Sequence, residues 1–432
     1  MKIAIAGYGI EGKSNYEYWS KDPNNELIIV DENDHPKNDL PDGVATRTGE
    51  GVFQTLDDVD LVIRTAGLSP YKIKTDGTVW SSTNEFFAQC PAPIIGVTGT
   101  KGKGTVSSMI AAILEADGRK VWLVGNIGIP PLNVLDQIKP TDIVVFELSS
   151  YQLWDITRSP HIAVVLLIEP DHLAVHEGMD DYVSAKANIL RFQTPADIAI
   201  YHPTNERTQE IITENAQGRI AKYNDPFSDG VSIKDGGFYE GDERIADTSI
   251  LSLPGEHNRE NATAAIAAAR AAGASFEAVV KGLSNFVGLP HRLELVRELD
   301  GVQYYNDSFS SATPATVAAV KAFSKPEIVI IGGIERGGDF TELAEVLKTS
   351  SVKHILLIGE IREALRHTFV EHGVTTPIDV VEATTMKEIV ARAHELAEPG
   401  DVVILSPGAA SFDMFKDFYD RGDQFRAEVQ SL

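Results

Sequence analysis

The sequence predicts an α/β protein of three domains, each built on a mainly parallel sheet. Three observations carry that prediction. Short β-branched runs recur along the chain and are followed by helical stretches, the pattern of repeated strand–helix units. Two breaks punctuate it, Pro91 with Pro93 and Gly288-Leu289-Pro290. The 432 residues suit two to four domains at about 100–200 residues each. The expected domains are residues 1–90, 91–289 and 290–432.

The elements follow in order. In the first domain the strands fall on Lys2–Ala6, Glu26–Val30 and Leu61–Ile63. The second carries Ile94–Val97, Val121–Val124, Ile143–Phe146 and Ile162–Ile168. From about Thr204 to Ser252 the chain is polar and glycine-dotted, which predicts small strands or hairpins. Asn258–Ala272 is rich in alanine and predicts a helix. The third domain holds Val302–Tyr305, Glu327–Ile331, His354–Ile358 and Val402–Leu405, with a helix expected over Phe412–Tyr419.

Composition narrows the function. Apolar residues make 43% and charged residues 23%, which excludes collagen-like, disordered and disulfide-scaffold chains. A net charge of −25 repels nucleic acid and anionic membrane, so neither is an expected partner. An anionic small substrate remains allowed where cations gather in one cleft. The single Cys90 has no intrachain partner, which fits a reducing cytoplasm. No apolar run approaches the roughly 20 residues of a membrane helix, and the start of the chain lacks a signal-peptide pattern.

Gly7-Tyr8-Gly9-Ile10-Glu11-Gly12 follows a strand, and Asp31 ends the next strand. Such glycines let the backbone approach a diphosphate at a helix N-terminus. NAD and a UDP-sugar would use the same geometry, so the nucleotide is left open.

The strongest motif is Gly96-Val97-Thr98-Gly99-Thr100-Lys101-Gly102-Lys103-Gly104-Thr105, between a buried strand and a helix. A glycine-rich turn there aims N–H groups at phosphates, and Lys103 neutralises their outer oxygens. Gly104 stands where a P-loop carries Ser or Thr, so Thr105 is the hydroxyl left for Mg²⁺. Glu147 ends one neighbouring strand, and Asp171-His172 follow another. Ligands in open α/β sheets sit at the carboxyl ends of strands, so Lys103, Glu147 and His172 are expected together. The three domains thus read as a Rossmann-like N-terminal domain, a central P-loop domain and a Rossmann-like C-terminal domain.

These motifs resemble those of the Mur ligases, ATP-dependent amide-forming enzymes of peptidoglycan precursor synthesis. The resemblance runs through all three domains. It rests on Gly99–Thr105, Gly125-Asn126-Ile127-Gly128, Glu147–Leu153, Asp171-His172-Leu173 and Tyr182–Lys186. Further on it includes His257-Asn258 with Asn261, Leu289–Glu294, Asn306-Asp307-Ser308, Gly337–Phe340 and Leu405-Ser406-Pro407 with Ser411. Together they favour the branch that adds D-glutamate to UDP-MurNAc-L-alanine.

The resemblance implies a cytoplasmic, monomeric enzyme that uses ATP and Mg²⁺ and forms an acyl phosphate. Lys103, Glu147, His172 and Lys186 would be catalytic, with metal held by Thr105, Glu147, His172 and Lys186. Lys186 is implied to be carbamylated. ATP would meet Gly99, Thr100, Lys101, Gly102, Lys103, Gly104, Thr105, Asn258, Asn261, Arg292 and Asp307. The UDP substrate would meet Gly9, Ile10, Glu11, Asp31, Gly67 and Asn126. Ser311, Arg336, Ser411, Phe412 and Phe418 would hold D-glutamate, with Ser411 as a helix N-cap whose free N–H groups favour an anion.

The chain departs from the family pattern at several points. Phe309 and Arg336 replace lysines, Thr65-Ala66-Gly67 replaces Ser-Pro-Gly, and Leu167 replaces an asparagine. Glu32 and Asn33 stand where a hydroxyl and an arginine often meet the uridine diphosphate. Alternatives are a folylpolyglutamate-type ligase or another Mur-type ligase, and, in a different class, an NAD-dependent oxidoreductase.

Overall fold

The computed structural model describes residues 1–36, 39–171, 175–334 and 338–432. Among them the chain forms four sheets in two compact units. One unit comprises residues 1–250 and 260–285, the other 251–259 and 286–432.

The first unit carries two parallel sheets. In the first, the strand order is Ala45–Thr48, Glu26–Asp31, Lys2–Ala6, Leu61–Arg64, Thr78–Ser81. Its central residues Ile3 to Ala6 have no exposed surface, as a strand covered on both faces requires. At the Gly7–Gly12 turn, a Cβ at Gly12 would stand 2.1 Å from the Gly7 carbonyl oxygen, so only glycine lets helix Ile10–Trp19 pack this closely.

The second sheet runs Arg219–Lys222, Ile198–Tyr201, Ile162–Val165, Ile94–Thr98, Ile143–Glu147, Val121–Gly125, again all parallel. The glycine-rich turn leaves the carboxyl end of its strand Ile94–Thr98, flanked by the strands that precede Glu147 and Leu166. A small antiparallel sheet, Val231–Lys234, Gly237–Glu240 and Glu243–Asp247, follows.

Two expectations need correction here. Ile162–Ile168 is a strand only to Val165, because Leu166 N–H and Leu167 C=O turn to bond Thr98 and Thr100 of the glycine turn. The segment 204–252 holds hairpins and also a helix, Glu206–Asn215. Asn205 caps that helix by accepting from Thr208 N–H, and its Ile211 and Ile212 are buried.

The second unit is one six-stranded sheet. Its order is Glu294–Leu299, Val302–Asn306, Val402–Leu405, Glu327–Gly332, Val352–Ile358, Ile378–Val380, and only the first strand is antiparallel. Apolar layers cover both faces, around Val329 and Ile331 on one side and Ile328 and Ile330 on the other.

The helix expected at Phe412 starts later, over Phe418–Ser431. Its N-cap is Asp417, whose carboxylate accepts from Asp420 N–H at 2.8 Å, whereas Ser411 lends its backbone carbonyl to Met414 and Phe415 in a turn. Ser411 is therefore not the helix cap.

Candidate active site

The phosphate turn is built by its neighbours. Thr98 Oγ1 donates to Leu148 C=O at 2.9 Å, fixing the strand end beside Glu147. Thr100 N–H donates to Leu167 C=O at 2.9 Å, and Thr100 Oγ1 lies 2.9 Å from the Tyr182 hydroxyl. Gly102 caps helix Lys103–Ala116 at φ +82°, so Lys103 is the first residue of a helix whose N-terminal dipole favours phosphate. Lys101 is exposed and pairs with Glu169, while Gly104 is buried and Thr105 half-buried in the first turn.

Two amines converge under this turn. Lys103 Nζ donates to Gly99 C=O at 3.2 Å and Thr100 C=O at 3.0 Å. Lys186, on helix Met179–Arg191, donates to the same Gly99 carbonyl at 2.8 Å, with its Nζ 4.6 Å from the Tyr182 ring centroid. A lysine on an amphipathic helix is ordinarily solvated, yet Lys186 is only 1% exposed. Burial, and then the Lys103 ammonium, press its pKa well below the lysine range, against the opposing charges of Asp171 and Glu147. Burial likewise pushes the Tyr182 hydroxyl up to about 12.

Glu147 is buried at the end of its strand, and Asn126 Nδ2 donates to its Oε1 at 3.0 Å. Asn126 thus belongs to the same strand ends as Glu147. Asn261 reaches the turn from helix Glu256–Ala271, and its Oδ1 would meet a Cβ at Gly102 at 2.5 Å. Asn258, one turn earlier, is buried and donates to Pro254 C=O at 2.7 Å. His172 lies outside the described residues.

These residues fit a magnesium–triphosphate: a helix N-terminus, a lysine at its first position, and a buried carboxylate alongside. Among the described residues no three His, Cys, Asp or Glu side chains converge as a metal cage. Mg²⁺ asks for no such cage, because water and phosphate oxygens complete its shell.

In the first sheet, Gly9, Ile10 and Gly67 are exposed around the glycine turn. Asp31 and Glu11 are committed within the protein. Asp31 Oδ2 accepts from Tyr8 N–H at 2.7 Å, and Oδ1 from Asn33 N–H at 2.9 Å. Burial alone would raise the Asp31 pKa, but these bonds and His35 hold it below the usual carboxylate range. Glu11 accepts from Ala66 N–H at 2.7 Å and from the Ser82 hydroxyl. Both carboxylates therefore shape the loops around the glycine turn.

The second unit holds the remaining candidates. Asp307 is buried, accepting from Leu293 N–H at 3.1 Å and Ser406 Oγ at 2.7 Å, and burial pushes its pKa up to about 6. It thereby anchors Leu293, next to Arg292. The Arg292 guanidinium lies 3.6 Å from the Phe309 ring centroid, and that ring meets Phe418 edge-on at 5.1 Å. Phe309, in the place of a family lysine, is thus a platform for an arginine. A cavity of about 380 Å³ is lined by Ser311, Ile334, Gly338 and Gly408–Ala410 among others. Arg421 is fully buried and supports two of these lining residues, donating to the Ala409 carbonyl and Ser311 Oγ as well as to Ser308. Ser411 is buried and Phe412 exposed, while Arg336 lies outside the described residues.

Comparison with known proteins decides the family. Residues 97–269 match the Mur ligase middle domain, and residues 291–408 match the Mur ligase glutamate ligase domain. A UDP-N-acetylmuramoylalanine–D-glutamate ligase of Acetivibrio thermocellus is 40% identical over 401 residues, 89% of this chain and 85% of its own. The chain belongs to the Mur ligase family. A namesake enzyme from Clostridium tetani is 34% identical to this Mur ligase across 100% of the chain and 97% of its own. Among solved structures, UDP-N-acetylmuramate–alanine ligase MurC of Thermotoga maritima shares the fold, with TM-score 0.62 and 16% identity over 100% of this chain and 99% of its own. MurF of Acinetobacter baumannii gives TM-score 0.62 at 20% identity over 86% and 85%.

Reading the sequence missed Tyr182 and Arg421 as members of these sites. Tyr182 carried a signal, since it stands one helical turn before Lys186. Arg421 carried none: an arginine in a polar helix looks solvated until the helix is packed.

Proposed function

We propose that this Mur ligase joins D-glutamate to UDP-MurNAc-L-alanine and converts ATP to ADP and phosphate. The relatives' activity supports this, and the observation that carries it is the pair Lys103 and Lys186 on one carbonyl of the phosphate turn, beside Glu147. The terminal carboxylate of UDP-MurNAc-L-alanine attacks the γ-phosphorus, and ADP leaves from the resulting acyl phosphate. The amine of D-glutamate then attacks the acyl carbon. The tetrahedral adduct loses inorganic phosphate and a proton, leaving the amide.

The protein's part is positioning and charge neutralisation. Lys103 leaves the turn carbonyls to meet the outer phosphate oxygens. Glu147, His172 and Thr105 would hold Mg²⁺, which would supply further neutralisation of the phosphate charge. Lys186 is proposed to react with CO₂. Its depressed pKa favours the neutral amine that this reaction needs; nitrogen bonds the CO₂ carbon and gives up a proton to water, and the carbamate is an anion suited to the metal's surroundings. Asn258, Asn261, Arg292 and Asp307 serve the nucleotide. Gly9, Ile10, Gly67 and Asn126 serve the acceptor, with Asp31 and Glu11 behind its loops. Ser311, Arg336, Ser411, Phe412 and Phe418 serve D-glutamate.

The expected domains 1–90, 91–289 and 290–432 would divide the work as acceptor, ATP and amino-acid binding. No described helix is long and apolar enough to cross a membrane. A monomer in the cytoplasm is the proposed setting. The test is phosphate release from ATP and Mg²⁺ with UDP-MurNAc-L-alanine and D-glutamate, L-glutamate, glycine or lysine. Release only with D-glutamate supports the proposal, and equal release with another amino acid overturns the specificity.

A further inference from the structure

Arg64 closes the strand Leu61–Arg64 and has no exposed surface, an unusual place for a cation. Every N–H of its guanidinium is used. Nε and Nη2 grip the Asp155 carboxylate at 2.8 and 2.7 Å, and Nη2 also donates to Tyr151 C=O at 3.0 Å. Nη1 collects the carbonyls of Thr65, Ala66 and Leu68 at 3.2, 3.3 and 2.8 Å. One planar fork therefore binds the 65–68 loop of the first sheet to the segment just after helix Ser150–Leu153 of the second.

The loop is held from its other side as well. Ala66, where the family pattern has proline, offers an N–H, and Glu11 takes it at 2.7 Å. Gly67 is left exposed at the tip between these two grips. Beyond the fork, Asn84 donates to Asp155 C=O at 2.8 Å and accepts from Thr157 N–H at 2.8 Å, so the Asp155 side is also fixed.

We infer that Arg64 is a positioning residue for the acceptor. It sets the distance between the Gly67 loop, which meets the nucleotide end of UDP-MurNAc-L-alanine, and the chain that follows Glu147, where the carboxylate end reacts. The inference rests on the acceptor reading given above. Its chemistry is geometric: the two ends of one long substrate must be held in register, and the fork is the bond network that spans them.

The test compares wild type with Arg64→Met and with Asp155→Asn, which keeps the size of the side chain and weakens the grip while Arg64 retains its carbonyl acceptors on Thr65, Ala66, Leu68 and Tyr151. Calorimetry measures the Kd of UDP-MurNAc-L-alanine and of a magnesium-bound non-hydrolysable ATP analogue, and steady-state assays give kcat and both KM values. Circular dichroism at the assay temperature establishes folding. Arg64→Met is expected to raise the acceptor Kd at least tenfold and lower kcat, with the nucleotide Kd within twofold of wild type. Asp155→Asn is expected to shift the acceptor Kd at least threefold in the same direction, and it carries the test alone where Arg64→Met does not fold. Equal losses for acceptor and nucleotide would reduce Arg64 to a structural residue and overturn the inference. So would unchanged acceptor binding in folded variants. A wild type that fails to bind UDP-MurNAc-L-alanine overturns the acceptor reading itself.

Discussion

Replacing Gly102 by alanine tests how the phosphate turn is built. Gly102 sits at φ +82°, where a side chain costs about 1–2 kcal/mol. Its Cβ would also stand 2.5 Å from Asn261 Oδ1 and 3.4 Å from Leu166 Cδ1. Restoring contact of about 3.5 Å requires a shift of about 1 Å in Asn261 or in the first turn that carries Lys103. A misplacement of that size can cost about 100-fold where geometry governs binding and rate. Gly118→Ala is the control, because Gly118 has the same φ of +82° and nothing within 4 Å of its Cβ. Both variants should lose about 1–2 kcal/mol in urea unfolding from the backbone conformation, and Gly102→Ala should lose more than Gly118→Ala because of its clash with Asn261. Only Gly102→Ala should weaken a magnesium-bound ATP analogue, by tenfold or more in calorimetry, with acceptor affinity unchanged. Adding Asn261→Ala to Gly102→Ala should recover stability, since the clashing oxygen is gone. Nucleotide binding by Gly102→Ala within twofold of wild type, or equal weakening by Gly118→Ala, would refute this account of the turn.

Two other predictions concern buried ionisable groups. Glu327 has no exposed surface, accepts from Ser351 Oγ at 2.6 Å, and is pushed by burial from 4.5 up to about 8. The folded state thus holds the proton more tightly, so this group's contribution to stability falls as pH rises from 4.5 to 8. Relative to Glu327→Gln, the wild-type unfolding free energy should drop by up to about 5 kcal/mol across that window, and parallel profiles would contradict it. Lys186, its pKa pressed down by burial, should take up ¹³CO₂ near neutral pH and give a carbamate carbon resonance absent from Lys186→Arg. The same spectrum from both proteins would remove Lys186 as the carbamate site.

Much of the fold was legible because its central strands are covered on both faces and so read as unbroken β-branched runs, as at Ile143–Phe146 and Val402–Leu405. Glu206–Asn215 was not legible, since only Ile211 and Ile212 mark its buried face and its other residues are polar. The start of the last helix was misread for a related reason. Ser411 and Asp417 are both good caps, and only the turn bonds into the Ser411 carbonyl show which one is used.

The phosphate turn could be read from its glycines and lysine alone. The loops of the first sheet could not, because nothing in sequence says whether a carboxylate faces a ligand or a backbone N–H. Asp31 and Glu11 face N–H groups of Tyr8 and Ala66. Lys186 shows the opposite failure, a lysine whose sequence context suggests solvent and whose packing buries it under Gly99. Arg64 directly follows the run Leu61–Ile63, and nothing in its sequence neighbourhood says that its fork reaches Asp155.

The most direct measurement of the central claim is isotope transfer during ligation. UDP-MurNAc-L-alanine labelled with ¹⁸O in the alanine carboxylate is incubated with ATP, Mg²⁺ and D-glutamate, and the released phosphate is weighed by mass spectrometry. One ¹⁸O should appear in phosphate for each amide formed, and Lys103→Ala should abolish both together. Amide formation that leaves the phosphate unlabelled would contradict carboxylate activation at the γ-phosphate. Undiminished transfer in Lys103→Ala would contradict the placement of that activation at the Gly99–Lys103 turn.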